Sequence, residues 1–198
     1  MHSHTQDTAY LEGGFQDAPV DAARAFRSAM SAMARPGQIE RLDTAAPPSP
    51  LSSAAGTLLL TLADPETGVC LAGAHDTAAM RAWLAFHTGA PIVAAGQAHF
   101  AVGTWDALMP LSQFSVGTSE YPDRSATLIV EMEDLRCEGV HLRGPGIKTT
   151  AALNLPDAEA MRANNAQFPL GLDFFLTCGA RVAALPRSTQ VSTLAEAG

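Results

Sequence analysis

The sequence predicts an α/β domain of three layers, α/β/α, with a mixed sheet in the middle, and three observations predict it. Through the first half of the chain, short apolar runs bounded by Gly and Pro alternate with segments of helical period, the pattern of strand–helix–strand units. Later strands come in consecutive pairs, which belong to antiparallel hairpins rather than parallel crossovers. The stretch Leu172 to Cys178 is too densely apolar for a strand with one wet face, so both of its faces need cover. The chain of 198 residues is long enough for one such core. It reads as a single domain over 1–198, with a loose leader at 1–13 and a loose tail at 191–198.

Taken in order, Asp17-Ala18-Pro19 is an N-cap followed by an early-turn proline, and opens a helix from Val20 to Met33. Ala23, Phe26, Met30 and Met33 recur at helical spacing and are expected inside. Arg24, Arg27, Ser31 and Arg35 fall on another face, and Pro36-Gly37 ends the helix. Gln38 to Leu42 reads as a short strand. A proline-rich loop follows, then a helix from Pro50 to Leu62 and a short buried strand from Val69 to Ala72. Asp76 is the expected cap of a helix ending at His87, with Gly89 as its stop. Pro91–Ala95 and His99–Gly103 read as strands, and Trp105 to Phe114 as a helix weakened by Pro110. Ala126–Met132 and Cys137–Leu142 are strands, and Ile147–Leu153 continues extended. Asp157 caps a helix reaching Asn165. The chain is organised around its last hairpin: Phe168 to Thr189 enters at Pro169 and Gly171, runs apolar to Cys178, turns at Gly179-Ala180 and resumes to Leu185.

Composition excludes several functions. A net charge of −8 argues against non-specific binding of nucleic acid or an anionic membrane. The apolar runs are too short for a transmembrane helix, and the N-terminus lacks the features of a signal peptide. Cys70, Cys137 and Cys178 are odd in number and far apart, so neither a disulfide framework nor a zinc site is expected, and the natural compartment is the cytoplasm. Lys148 is the only lysine against eleven arginines, so anion recognition here would use guanidinium forks.

The candidate chemistry is sparse. Arg24, Arg27 and Arg35 read either as a solvated stripe, with Asp21 pairing Arg24, or as contacts for an anion or a partner's carboxylates. Arg143-Gly144-Pro145-Gly146-Ile147-Lys148-Thr149 resembles a phosphate loop. However, Ile147 separates Gly from Lys-Thr and Pro145 lacks an N–H, so a glycine turn fits better, with Arg143 still able to present its guanidinium. Lys148 alone could carry a Schiff base to pyridoxal phosphate (PLP), but no phosphate cup surrounds it. His2 and His4 belong to a frayed terminus, and His75 and His87 to the ends of a helix. Glu131, Glu133 and Asp134 follow a strand, where a turn is expected before a Mg²⁺ site. Pro186-Arg187-Ser188-Thr189 is either a surface turn or an anion or interface contact. No catalytic residue, metal site or cofactor site is assigned.

Four stretches together resemble the H subunit of the bacterial carbon–phosphorus lyase system, the PhnH family. They are Gly14-Phe15 with the arginine-striped helix ending Met33-Ala34-Arg35-Pro36-Gly37; Gly117-Thr118 through Pro122 to Ala126-Thr127-Leu128; Leu142-Arg143-Gly144-Pro145-Gly146-Ile147; and the hairpin from Phe168-Pro169-Leu170-Gly171 and Asp173 to Leu185-Pro186-Arg187-Ser188-Thr189. The resemblance implies a fold similar to PLP-dependent transferases without the cofactor, a homodimer when isolated, and a core complex with the G, I and J subunits. It also implies a role in attaching a phosphonate to the ribose of ATP with release of adenine, before later subunits cleave the C–P bond. It supplies no catalytic residue.

Overall fold

The computed structural model describes residues 11–192. It is an α/β structure with five α-helices and a mixed sheet of six strands. In chain order the elements are α1 (Ala18–Ala34), β1 (Glu40–Arg41), α2 (Ser53–Leu62), β2 (Val69–Leu71), α3 (Ala78–His87), β3 (Phe100–Thr104) and α4 (Trp105–Leu108). Then come β4 (Thr127–Glu131), β5 (Val140–Arg143), β6 (Ala151–Leu153), α5 (Ala158–Asn165), β7 (Asp173–Cys178), β8 (Arg181–Leu185) and β9 (Gln190–Ser192). The large sheet has the order β1-β8-β7-β4-β3-β2, with β2, β3, β4 and β7 mutually parallel and β8 and β1 antiparallel additions. A small antiparallel sheet, β6-β5-β9, lies apart.

The expected hairpin is the centre of the large sheet. Cys178 pairs with Arg181 across Gly179-Ala180, and Gly179 takes φ +59 at the first turn position, as a two-residue type II′ turn requires. Side chains then sort by the two-residue period. Ile129, Phe175, Val182 and Ala184 pack with α1, α2 and α3, whereas Leu128, Val130, Phe174, Leu176, Ala183 and Leu185 pack on the opposite side. That second side is covered by α4, α5 and the small sheet, through Leu108, Met161, Leu142, Leu153 and Val191. Both faces are therefore buried, as the density of apolar residues in β7 demands.

The buried face of α1 differs from the expectation. Ala25, Ala29 and Ala32 are buried, while Phe26 and Met30 are 49% and 52% exposed. The reason is the partner: α2 packs closely on α1 and buries Ala54 and Ala55, and two helices meeting through small side chains approach too closely for Phe or Met. Met33 alone of the large residues in that stripe packs against the core.

Smaller corrections follow the capping chemistry. Asp17 occupies the N-cap of α1 but makes no side-chain cap; the Asp21 carboxylate instead accepts from the Gln16 and Asp17 N–H groups at 3.2 and 3.1 Å. Thr77, not Asp76, caps α3, accepting from the Met80 N–H at 3.1 Å. Asp76 pairs with Arg81 at 2.5 Å, and the hydrogen bond and charge of Arg81 hold its carboxyl below the usual carboxylate range. Pro91–Ala95 contributes only an isolated bridge from Ile92 to Val69, and the extended segment before β6 shortens to Ala151–Leu153. Trp105 to Phe114 divides at Pro110 into α4 and one 3-10 turn. The ends of the described chain are held. The Glu12 carbonyl accepts from Trp83 Nε1 at 3.0 Å, and Val191 belongs to β9. The remainder of the expected leader and tail lies outside the described residues.

Asn164 stitches the end of α5 to the entry of β7. Its amide donates to the Leu172 carbonyl at 2.9 Å and accepts from the Leu172 N–H at 2.8 Å, all of it buried. Asn164→Ala orphans both backbone groups, so unfolding free energy in urea should fall by about 2–3 kcal/mol. Unchanged stability would mean that the pair contributes nothing net.

Candidate functional site

In an open α/β sheet, every parallel strand delivers its carboxyl end to one rim, and the loops leaving that rim line a crevice. Here β2, β3, β4 and β7 all do so. His75 follows β2, Thr104 ends β3 with Trp105 and Asp106 behind it, Glu131 ends β4 ahead of Glu133 and Asp134, and Cys178 ends β7. These residues form a cleft of two lobes, about 480 and 400 Å³, that share Thr104, Glu131, Met132 and Glu133. Ser52, the N-cap of α2, closes one side.

The Glu131 carboxylate is the fixed point of this rim. One oxygen accepts from the Ser52 N–H at 2.7 Å, next to the positive end of α2, and the other accepts from the Thr177 hydroxyl at 3.1 Å. Asp134 is neutralised by Arg136 at 2.6 Å and by Arg181 at 3.4 Å. Asp106 and Glu133 are exposed and enter no ion pair with a described residue. His75 is only 3% exposed, and neither ring nitrogen has a hydrogen-bond partner in the structure. Cys178, by contrast, is engaged: its thiol donates to the Glu133 carbonyl at 3.4 Å and it receives Arg181 at 3.6 Å. Among the described residues, no three His, Cys, Asp or Glu side chains are arranged to hold a metal ion.

The arginines singled out from the sequence do not converge on this cleft. Arg24 lines a different groove, about 280 Å³, with Ser28, Arg41, Asp43 and Thr44; Arg41 is paired to Asp43 there, and the Thr44 hydroxyl is buried without a partner. The Arg27 Nε donates to the Ala23 carbonyl of its own helix at 3.4 Å. Arg35 caps the end of α1 and reaches Ser31, whose hydroxyl donates to Glu40 at 2.7 Å. Arg143 is exposed at the end of β5, and Lys148 is exposed on the turn before β6. Arg187 is turned inward. Its guanidinium holds both oxygens of Asp173, the Pro122 carbonyl at 2.7 Å and the Ser125 hydroxyl.

Residues 13–192 match the family described as bacterial phosphonate metabolism protein (PhnH). The chain belongs to the PhnH family. It is similar to a protein of Rhizobium meliloti (strain 1021) named alpha-D-ribose 1-methylphosphonate 5-triphosphate synthase subunit PhnH, at 44% identity over 94% of this chain and 98% of the relative. It is also similar to a Stutzerimonas stutzeri protein provisionally named as the C-P lyase subunit protein HtxG, at 30% identity over 91% of this chain and 96% of the relative.

The four stretches that carry the PhnH likeness meet in space. Pro122 and Ser125 receive Arg187, which is clamped by Asp173 of the hairpin. Gly144 lies against Ser188 and Thr189, and Gly146 packs on the Ala34 carbonyl at the end of α1. In this chain the PhnH stretches are thus joints between elements. The cleft residues, scattered from Ser52 to Cys178 on loops, carried no linear signal beyond the carboxylates after β4.

Proposed function

We propose that this chain is a subunit of the carbon–phosphorus lyase core complex, and supports transfer of methylphosphonate to the ribose of ATP with release of adenine. It works beside the G, I and J subunits as a cytoplasmic homodimer when isolated, without a reactive centre of its own. The fold would be a variant of the PLP-dependent transferase fold. The observation that supports the reading most is the relative named as a synthase subunit, 44% identical across nearly the whole chain. The exposed side of α1 adds a surface for it. Phe26 and Met30 stand out to solvent beside Arg24 and Arg27, and an apolar strip rimmed by guanidinium groups suits a protein partner better than water. Arg24, which shares a groove with Ser28, Thr44 and the paired Arg41 and Asp43, would supply the contact for an anion such as a phosphonate or nucleotide phosphate.

The test is co-purification of tagged chain with its sibling subunits. The unaltered chain is expected to carry them. Phe26→Asp should cut recovery at least about tenfold, as loss of a buried interface aromatic does, with the thermal midpoint of the isolated chain unchanged. Arg27→Glu should weaken assembly less, and more strongly at low salt. Failure of the unaltered chain to capture any sibling subunit would overturn the reading. Lys148 gains no support as a cofactor lysine from its place on an exposed turn outside the cleft.

A further inference from the structure

We infer that the exposed side of α1 binds an acidic amphipathic helix of another polypeptide, its apolar stripe seated on Phe26 and Met30 and its carboxylates on Arg27, Arg35, Arg143 and Lys148. This rests on the reading of the chain as a subunit of a complex, and names the chemistry of the segment that meets it. The helical spacing comes first. Pro19, Ala23, Phe26, Met30 and Ala34 follow one another at intervals of three or four residues, and each is exposed. They form an apolar ridge about 22 Å long, turned away from the buried Ala25, Ala29 and Ala32. Alternation of the large Phe26 and Met30 with the small Ala23 and Ala34 leaves gaps along the ridge. A second helix fills such gaps with side chains of its own.

The charges say what kind of helix it is. Arg41, Arg81, Arg136, Arg181 and Arg187 are each paired with a carboxylate. Arg24, Arg27, Arg35, Arg143 and Lys148 are exposed and enter no ion pair with a described residue. The first three line one flank of the apolar ridge. The last two belong to the turn whose Gly146 rests on the Ala34 carbonyl, at the C-terminal end of the same helix. Glu40, the acid nearest Ser31, accepts from that hydroxyl and leaves Arg35 without a carboxylate. In a chain of net charge −8, exposed cations without an ion partner are thus strung along α1 and the turn docked against it. Such a surface attracts carboxylates and rejects basic segments. Two other occupants fit less well. A second copy related by a two-fold axis would bring its own Arg24 and Arg27 beside those of the first. The Asp21 carboxylate that could offset them is already held by the Gln16 and Asp17 N–H groups. An anionic membrane is repelled by the net charge of the whole chain.

The test puts the photo-cross-linker benzoylphenylalanine in place of Met30 in the tagged chain, which is then co-purified with its sibling subunits and irradiated. Mass spectrometry identifies the joined segment. Expected is a segment of another subunit with apolar residues every three or four positions and an excess of Asp and Glu over Lys and Arg. In parallel, Arg27→Glu/Arg35→Glu/Lys148→Glu should lower recovery of the siblings about tenfold at about 50 mM salt and only about twofold at about 500 mM. Its thermal midpoint should match that of the unaltered chain. Arg27→Lys/Arg35→Lys keeps the charge and should keep most of the recovery. The acidic helix is ruled out by a cross-link to a basic segment or to a second copy, by no cross-link in a normally assembled complex, or by full recovery with the triple variant. Sedimentation of the chain with vesicles of phosphatidylcholine and phosphatidylglycerol, lost on Phe26→Asp, would give the ridge to a membrane and rule it out too. If the unaltered chain carries no sibling subunit, the subunit reading itself falls, and the helix with it. If assembly is normal and the cross-link lands elsewhere, only the helix falls.

Discussion

Arg187→Ala is expected to lower unfolding free energy by about 3–5 kcal/mol, the range for breaking a buried, hydrogen-bonded ion pair. The Arg187 and Asp173 side chains are 14% and 23% exposed, so the pair is shielded from the screening that makes surface bridges worth little. The arginine also holds more than its ion partner. Nε and NH2 reach Asp173 at 3.2 and 2.5 Å, NH1 reaches the Pro122 carbonyl at 2.7 Å, and NH2 also meets the Ser125 hydroxyl. Its truncation therefore leaves the Asp173 carboxylate only the backbone N–H of residue 187, at 2.8 Å, and takes a donor from a carbonyl and a hydroxyl as well. Arg187→Lys should recover only part of the loss, because one ammonium cannot span this fork. A urea series on Arg187→Ala, Asp173→Ala and the double variant measures the coupling, and the double should cost less than the two singles added. A loss below about 1 kcal/mol for Arg187→Ala would mean the guanidinium is free for other work.

That residue also shows where sequence reasoning stops. Pro186-Arg187-Ser188-Thr189 was equally readable as a surface turn or as an anion contact, because the deciding partners lie far away in the chain. Asp173 is fourteen residues away, Ser125 sixty-two and Pro122 sixty-five. The local grammar was legible. The hairpin turn at Gly179, the Asp157 cap of α5 with its 2.9 Å bond from Ala160, and the alternation along β7 all follow from spacing alone. In α1 two stripes compete, Ala25-Ala29-Ala32 and Ala23-Phe26-Met30, and side-chain size favoured the wrong one. Only the closeness of α2 decides between them, and no helical period encodes a neighbour's distance. The cleft is harder still, since its walls come from four strand ends and a helix cap. Its fixed point, a Glu131 carboxylate held by Ser52 and Thr177, exists only once the chain is folded.

Gly146→Ala is expected to cost about 3–5 kcal/mol by two separable effects. Gly146 has φ +81, and a Cβ placed on it would lie 1.9 Å from the Ala34 carbonyl oxygen and 2.9 Å from its carbon. Both are backbone atoms at the end of α1, so no side-chain rotation relieves the contact. Gly179 supplies the control, because it too has a positive φ, +59, yet nothing lies within 4 Å of the same construction. Gly179→Ala should therefore cost only the conformational part, about 1–2 kcal/mol, and the difference between the variants isolates the steric part. The comparison also bears on the resemblance of Arg143 to Thr149 to a phosphate loop. A loop whose glycines exist to expose N–H groups to an anion would lose ligand affinity before it lost stability. Here Ile147 N–H is already spent on the Gly144 carbonyl at 3.1 Å, and Gly146 serves close approach to α1. Equal losses for Gly146→Ala and Gly179→Ala in urea would remove the close-approach role and return the turn to the list of candidate anion sites.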